Sequence, residues 1–326
     1  MNKMCYGCGA KLQTENKEIS GYIPEGKKDD AKYCMRCFRL MHYGEQRNEN
    51  TPKDVKEIVN KINKDVRFVV FLVDFINLNS EVVSIFKSIK KRKVLVLNKC
   101  ELIPEHVKKE RVTEYIRDYY GISDDIKLKG GVKTHGAKSI LNYLEKKDIH
   151  EAYILGISNS GKSTLINDLM DICESKNAKI VVNSKANTTL DFIRVKLDED
   201  LTLIDSPGFI LNNALNHDVM GKNIKAYSMQ MKECETVSLL DNKYYLKFTE
   251  PTPFTFFTSS DAKRVVKKYF AAADGLVNKI EITEPNTDIV LIGVGFITIK
   301  KPTIITTNIA LKNIEIRPSM FGGNYE

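Results

Sequence analysis

The sequence lacks the features of a membrane protein or a repeat protein. Its 326 residues contain no apolar run approaching about 18 residues, the length at which a membrane-spanning helix becomes plausible. It has no internal repeat and no low-complexity tract, and no secretory segment precedes the first cysteines. These absences predict a cytoplasmic chain without a membrane span. Its length suits two compact domains and a smaller metal-binding element.

A phosphate-binding loop is the clearest motif. Residues 156–163 follow the pattern G-x-x-x-x-G-K-[ST], in which Lys162 reaches the β and γ oxygens and Ser163 offers a hydroxyl to Mg²⁺. The flanks predict a strand at 152–155 and a helix at 164–170 whose N-terminus faces the anion. They favour this interpretation over a chance glycine turn. The residues expected to bind nucleotide here are Gly156, Ser158, Asn159, Ser160, Gly161, Lys162, Ser163 and Thr164.

Two later segments are expected to complete the phosphate site. An apolar strand ends at Asp205, which should hold Mg²⁺ through water, and the backbone N–H of Gly208 should meet the γ-phosphate. Alone, D-x-P-G is a common turn, but its place at a strand end after a phosphate loop favours a γ-phosphate sensor. In the polar stretch 187–191, Thr189 rather than Thr188 is expected to bind Mg²⁺ when GTP is present.

A second motif is typical of guanine recognition. Asn98 and Lys99 follow the predicted strand 94–97, where the asparagine can contact N7 and the lysine stem can lie along the base. Glu101 stands where an aspartate usually accepts the N1 and N2 hydrogens. Its extra methylene keeps the charge but loosens the fork, so ATP remains an alternative substrate. A polar turn at a strand end is the alternative interpretation of the motif.

The last guanine-binding element is the weakest. Spacing places Gly130 and Gly131 where Ser-Ala-Lys is usual, and a backbone N–H of Gly131 can still contact the guanine O6. Residues 136–138 are more similar in sequence to the usual Ser-Ala-Lys, but their spacing fits this element less well.

The order of the motifs is unusual. Asn98 and Lys99 precede the phosphate loop, whereas an ordinary GTPase has the loop first, so the order predicts a circularly permuted GTPase. We expect an α/β domain with a parallel sheet at 51–211. Short apolar runs predict a β-rich α+β domain at 212–326 for RNA binding, and residues 1–50 form a zinc-binding knuckle.

The knuckle is predicted from four cysteines. Cys5 and Cys8 form one C-x-x-C pair, Cys34 and Cys37 form another, and 25 residues separate the pairs. This spacing suits a tetrahedral Zn²⁺ site with four sulfur ligands and no open position, which indicates a structural metal. Two disulfides are the alternative, disfavoured in an intracellular chain. The other cysteines and the histidines form no ligand cluster in the sequence.

Taken together, the motifs resemble the YqeH family of circularly permuted GTPases, which act in assembly of the small ribosomal subunit. The stretches that carry the resemblance are 34–40, 161–167, 187–191 and 287–296. It implies GTP or GDP and Mg²⁺ as ligands, and the small ribosomal subunit and rRNA as partners. Departures are Glu101, the Gly130-Gly131 pair, Asn187 where glycine is usual, and a C-terminal domain that ends early.

The resemblance also bears on catalysis. Phe209 and Ile210 follow Gly208, where Ras-like enzymes carry a water-positioning glutamine. The resemblance places the chain among GTPases whose hydrolysis is slow until another group completes the site. Asn159 is the candidate ligand for K⁺, although its turn preference is an equal explanation. The residues expected to act in hydrolysis are Lys162, Asn159, Thr189, Asp205 and Gly208.

Charge favours a polyanionic partner. The formal net charge is +8. The segment 263–270 alternates basic and apolar residues and predicts one basic helix face, while Arg36 and Arg39 project from the knuckle. Each cluster alone is explained by solubility, but with the resemblance they favour rRNA contact. We expect a monomer and no DNA partner. A GTP-hydrolysing switch and an RNA-binding nucleotide sensor with negligible turnover both remain open.

Overall fold

The computed structural model describes residues 3–5, 10–15, 21–24, 31, 33–35, 54–130, 133–174, 181–183, 192–270 and 276–322. The chain divides into two compact units, and neither is continuous in sequence. The first comprises Met1–Val73, Ser88–Lys99 and Asp124–Phe209, and the second comprises Asp74–Lys87, Cys100–Ser123 and Ile210–Glu326. The predicted boundaries near residues 50 and 211 stay a prediction.

The described helices and strands are as follows. The helices are α1 Val55–Asn63, α2 Ser80–Ser88, α3 Lys109–Tyr120, α4 Lys133–Lys146 and α5 Lys162–Glu174. The first seven strands are β1 Phe68–Asp74, β2 Lys93–Asn98, β3 Asp125–Leu128, β4 Glu151–Gly156, β5 Val181–Asn183, β6 Ile193–Lys196 and β7 Thr202–Asp205. The others are β8 Ile224–Gln230, β9 Thr236–Leu239, β10 Tyr244–Phe248, β11 Pro253–Ser259, β12 Val265–Lys267, β13 Asn278–Ile282, β14 Thr287–Leu291, β15 Gly295–Ile299, β16 Thr303–Thr307 and β17 Ile314–Pro318.

The first unit is built on a seven-stranded sheet in the order β3-β2-β1-β4-β7-β6-β5. The pairs β2–β3, β1–β4 and β4–β7 are parallel, while β6 and β5 add an antiparallel edge. Every residue of β1 is buried, as expected of a continuous apolar run in a parallel sheet covered on both faces. The predicted parallel sheet is therefore confirmed, and the carboxyl ends of β1, β4 and β7 lie side by side.

The second unit contains two five-stranded sheets. Their orders are β12-β9-β10-β16-β13 and β17-β14-β15-β11-β8, and every described pair within them is antiparallel. The helix predicted at 263–270 is wrong, because residues 265–267 form the edge strand β12 paired with β9. Val266 packs against the core there, so the segment follows the two-residue period of a strand.

Residues from the middle of the chain belong to the core of this second unit. The Phe75 ring meets the rings of Phe257 and Phe296 edge-on, with centroids 5.8 Å and 6.0 Å away. The fully buried Arg317 donates from Nη1 to the carbonyl of Leu78 at 2.7 Å and to the Tyr120 hydroxyl at 2.5 Å. These contacts tie the segment before α2 and the end of α3 to β17 within the unit.

Candidate nucleotide-binding site

The phosphate loop runs from the end of β4 to the start of α5. Gly156 must be a glycine, because a Cβ there would lie 2.1 Å from the carbonyl oxygen of Leu72 on β1. Gly161 has φ +95°, and a Cβ on it would lie 2.4 Å from Nδ2 of Asn98. Only glycine therefore fits both positions. The loop ends where the first amides of α5 point outward, which is the arrangement that binds anions.

Lys162 lies between the phosphate loop and the turn after β7. Its Nζ donates to the carbonyls of Gly156 at 3.1 Å and Ile157 at 3.2 Å, and the residue is 9% exposed. A Cβ built on Gly208 would lie 3.0 Å from this Nζ and 3.0 Å from the Ser158 hydroxyl. The structure thus brings the predicted lysine and the predicted γ-phosphate sensor together.

The residues expected to hold Mg²⁺ also fall at this place. Asp205 ends β7, is 7% exposed, and is the registered neighbour of Ile154 on β4. Ser163 is the second residue of α5. The buried Ser160 hydroxyl has no hydrogen-bond partner in the part of the chain that the structure describes, so it suits a polar ligand. This oxygen-rich set fits a nucleotide with Mg²⁺. Thr189 lies outside the described residues.

The Asn-Lys motif contacts the phosphate loop directly. Asn98, 5% exposed, donates from Nδ2 to the carbonyl of Ser160 at 2.7 Å. Lys99 donates from Nζ to the carbonyl of Asn159 at 2.8 Å. Two motifs about 60 residues apart in the chain therefore meet at one site.

Asn159 adopts a left-handed backbone with φ +60°, and its side chain is exposed. Asparagine tolerates this conformation better than most residues, so the turn alone explains its presence. Thr164 is exposed in the first turn of α5. Glu101 is exposed in the 3-10 turn Cys100–Leu102, which belongs to the second unit. Gly130 is partly exposed after β3, and Gly131 lies outside the described residues.

A buried ion pair beside the site was not predicted. Lys129 Nζ lies 3.2 Å from Asp168 Oδ2, and their side chains are 11% and 8% exposed. Lys129 immediately precedes Gly130, and Asp168 is on the phosphate-loop helix. A Cβ on Gly136 of α4 would lie 2.7 Å from Lys129 Cγ, so glycine makes room for the lysine stem. One signal was available: Asp168 follows Leu165 by three residues on the buried face of α5.

Phe209 occupies the core. It is 1% exposed, its ring lies 6.1 Å from that of Phe71, and its carbonyl accepts the Ser158 amide at 2.8 Å. The residue at the usual glutamine position thus holds the phosphate loop against the end of β7, and its side chain cannot orient water.

Half of the predicted zinc site is described. Cys5 and Cys34 are each 1% exposed, and the amide of Cys34 donates to Cys5 Sγ at 3.1 Å. Such amide-to-sulfur bonds suit a metal-bound thiolate, so the two residues fit zinc ligation. Cys8 and Cys37 lie outside the described residues. No cluster of three or more metal ligands occurs among the residues the structure describes, and the zinc site stays a prediction.

Comparison with known proteins finds GTPases among the proteins similar to this chain. A family model described as "50S ribosome-binding GTPase" matches residues 151–254, starting at β4. YqeH of Bacillus subtilis is 25% identical over 96% of this chain and 97% of its own length. The GTPase grn1 of Schizosaccharomyces pombe is 29% identical over 40% of this chain and 31% of its own. YjeQ from Thermotoga maritima shares 21% identity over 48% of this chain and 52% of its own, with a TM-score of 0.31.

One further finding concerns membranes. Within the described ranges, none of the helices is both long and apolar enough to traverse a bilayer.

Proposed function

We propose that this chain, which is similar to YqeH, is a circularly permuted GTPase that binds and hydrolyses GTP as a switch in assembly of the small ribosomal subunit. The observation that carries the proposal is the meeting of Asn98, Lys162 and Gly208 around one phosphate loop. The partners would be the small ribosomal subunit and its rRNA, with no DNA partner. The protein would act as a monomer in the cytoplasm.

The residues at the site can be given roles. Lys162 and the loop amides would bind the β- and γ-phosphates, while Asn98, Lys99 and Glu101 would select guanine with Gly130 and Gly131. Ser163, Thr189 and Asp205 would hold Mg²⁺, which neutralises charge on the phosphate oxygens when bound. Gly208 would donate its amide to the γ-phosphate. Cys5, Cys8, Cys34 and Cys37 would hold a structural Zn²⁺.

Hydrolysis by the protein alone should be slow. Phe209 packs in the core, so nothing at that position orients water. If the Asn159 side chain binds K⁺, the cation adds positive charge near the transferred group and should accelerate turnover about 10²-fold or more. The alternative function, a nucleotide-sensing RNA-binding protein with negligible turnover, predicts no acceleration by any cation or ribosomal particle.

The test is turnover of GTP and ATP by the full chain in Na⁺ and in K⁺, with and without isolated ribosomal subunits. We expect faster GTP hydrolysis in K⁺ and association with the small subunit in a GTP-dependent manner. Both subunits should be assayed, since the matching family model is described by the 50S particle. Association with neither subunit in any nucleotide state would defeat the proposal, and Lys162→Ala is the inactive control.

Two substitutions at Asn159 separate its proposed roles. Asn159→Gly keeps access to φ +60° and removes the amide, whereas Asn159→Ala also strains the loop. If the amide binds K⁺, both variants should lose the K⁺ response while retaining GTP binding. A normal K⁺ response in Asn159→Gly would show that this asparagine serves only the loop conformation.

A further inference from the structure

The sheet β12-β9-β10-β16-β13 of the second unit carries a row of lysines on one face. Strand register aligns Lys267 with Thr236, Thr236 with Lys247, Lys247 with Thr306, and Thr306 with Lys279. We call Lys267, Lys247 and Lys279 the lysine row. Because neighbouring strands lie about 4.8 Å apart, the row crosses the sheet over roughly 19 Å.

The opposite face of this sheet is the core, so the lysine row faces outward. Val266, Leu246 and Ile280 are the chain neighbours of the three lysines, and all pack in the hydrophobic core of the second unit. Successive side chains in a strand point to opposite faces, which directs the lysines away from that core. Lys267 and Lys279 are exposed, and Lys247 is partly exposed.

Charge on this outward face is of one sign, with a single exception. The positions on the lysine side of the five strands are Val265, Lys267, Thr236, Ser238, Tyr245, Lys247, Ile304, Thr306, Lys279 and Glu281. Thr236, Ser238 and Tyr245 are buried on this side, so the lysines are the groups that reach beyond them. Glu281 is the one carboxylate among them, and its Oε2 lies 3.9 Å from Lys279 Nζ at the outer strand. The middle of the row has no acidic neighbour at an outward position of these strands.

Aromatic rings border the row at β12. Lys267 Nζ lies 5.5 Å from the centre of the Phe270 ring, and that ring is 5.5 Å from the ring of Tyr245 on β10. Tyr269, beside them, is 65% exposed. A line of cations with neighbouring aromatic surface is how sheets bind single-stranded nucleic acid, because phosphates meet the cations and unpaired bases stack on rings.

We propose that the lysine row is the site where a single-stranded RNA segment crosses this sheet, with its phosphates on the lysines and a base against Tyr269. The inference rests on the proposed function, since it assigns the place where the RNA partner binds. The exposed aromatic ring favours RNA over an acidic peptide, for which the lysines alone would suffice.

The test is fluorescence anisotropy of a labelled oligouridylate of about 12 nucleotides with the full chain at several salt concentrations. The row variant K247Q/K267Q/K279Q should bind at least tenfold more weakly. The slope of log K against log salt should fall in magnitude by about 2, since each phosphate contact on a single strand contributes about 0.7. Tyr269→Leu should weaken binding about fivefold or more without changing that slope.

The matched control is K109Q/K222Q/K312Q, which removes the same charge from exposed lysines outside this sheet. It should bind RNA within about twofold of wild type. An equal loss of RNA affinity in both triple variants would mean that net charge alone explains the effect, and it would overturn the proposal. So would a row variant that binds RNA normally yet loses an acidic polyglutamate peptide, because the row would then bind protein.

Small-subunit association separates this inference from the proposed function. If wild type and the row variant associate equally with small subunits, the lysine row is overturned and the proposed function stands. If wild type binds the oligouridylate through the row but never associates with small subunits, the row stands and the proposed function fails. Thermal unfolding and GDP affinity should be unchanged in the row variant.

Discussion

Replacing Lys129 by methionine should destabilise the first unit more than the loss of any exposed ion pair would. The substitution preserves chain length against Gly136 but removes the cation that lies 3.2 Å from Asp168, leaving a carboxylate that is only 8% exposed. Removing one partner of a buried pair costs about 3–5 kcal/mol. For a unit of this size each kcal/mol lowers Tm by about 2–4 °C, so Tm should fall by at least about 6 °C.

The chain supplies a matched control for this experiment. Lys147 Nζ also lies 3.2 Å from a carboxylate, that of Asp125, but those side chains are 48% and 45% exposed. Lys147→Met should therefore cost less than about 1 kcal/mol. The double variant Lys129→Met/Asp168→Leu should recover most of the lost stability, because neither charge then remains buried alone.

Chemical unfolding of the apo protein and GDP binding well below Tm are the two assays. Because Gly130 adjoins Lys129, the single variant should also bind GDP more weakly, and the double variant should recover affinity less completely than stability. A cost below about 1 kcal/mol for Lys129→Met, equal to that of Lys147→Met, would refute the argument that burial makes this pair matter.

Three other predictions concern the metal, the base and pH. Freshly purified, reduced protein should contain one zinc per chain, and Cys34→Ser should release it without unfolding the GTPase domain; metal analysis finding none would rule the site out. Glu101→Asp should raise the GTP/ATP affinity ratio by restoring the shorter fork, and an unchanged ratio would mean that Glu101 does not read the base. Hydrogen bonds from Tyr143 and Lys147 hold the pKa of Asp125 below its ordinary 3.8. These hydrogen bonds stabilise the folded state above pH 3.8, and their contribution is lost as the pH falls through the lowered pKa of Asp125. Tyr143→Phe should therefore lower the free energy of unfolding by about 1 kcal/mol at pH 7 and by progressively less below pH 3.8.

The site was predictable where chemistry and local geometry coincide. Gly156 and Gly161 have no room for a side chain, and Lys162 follows them at a fixed spacing, so the phosphate loop is visible in the letters alone. Asn98 was predictable because it belongs to a short Asn-Lys motif that directly follows a predicted strand. The Lys129–Asp168 pair was not, because its partners are 39 residues apart and the position of Asp168 on the buried face of α5 does not identify its partner.

The division of the chain into units depended on contacts distant in sequence. Phe75 and Tyr120 lie between strands of the GTPase sequence, yet they pack against Phe296 and Arg317 from the C-terminal strands. No local sequence pattern predicts such contacts. The prediction for the segment 263–270 was wrong for a different reason. Its alternation of basic and apolar residues is compatible with both the helical and the strand period, and pairing with β9 makes residues 265–267 a strand.

In the motif order of this chain, the C-terminal segment follows directly on the turn after β7 at the phosphate site. Gly208 lies beside Lys162, and the next residue, Phe209, is fixed by its ring on Phe71 and its carbonyl on Ser158. Ile210 then begins the C-terminal segment of the second unit. Phe209 is therefore held within the first unit by both its ring and its carbonyl, directly after Gly208. If the Gly208 amide binds the γ-phosphate as proposed, that contact lies two residues before Ile210 in the sequence, so a change of nucleotide would act next to the start of the C-terminal segment.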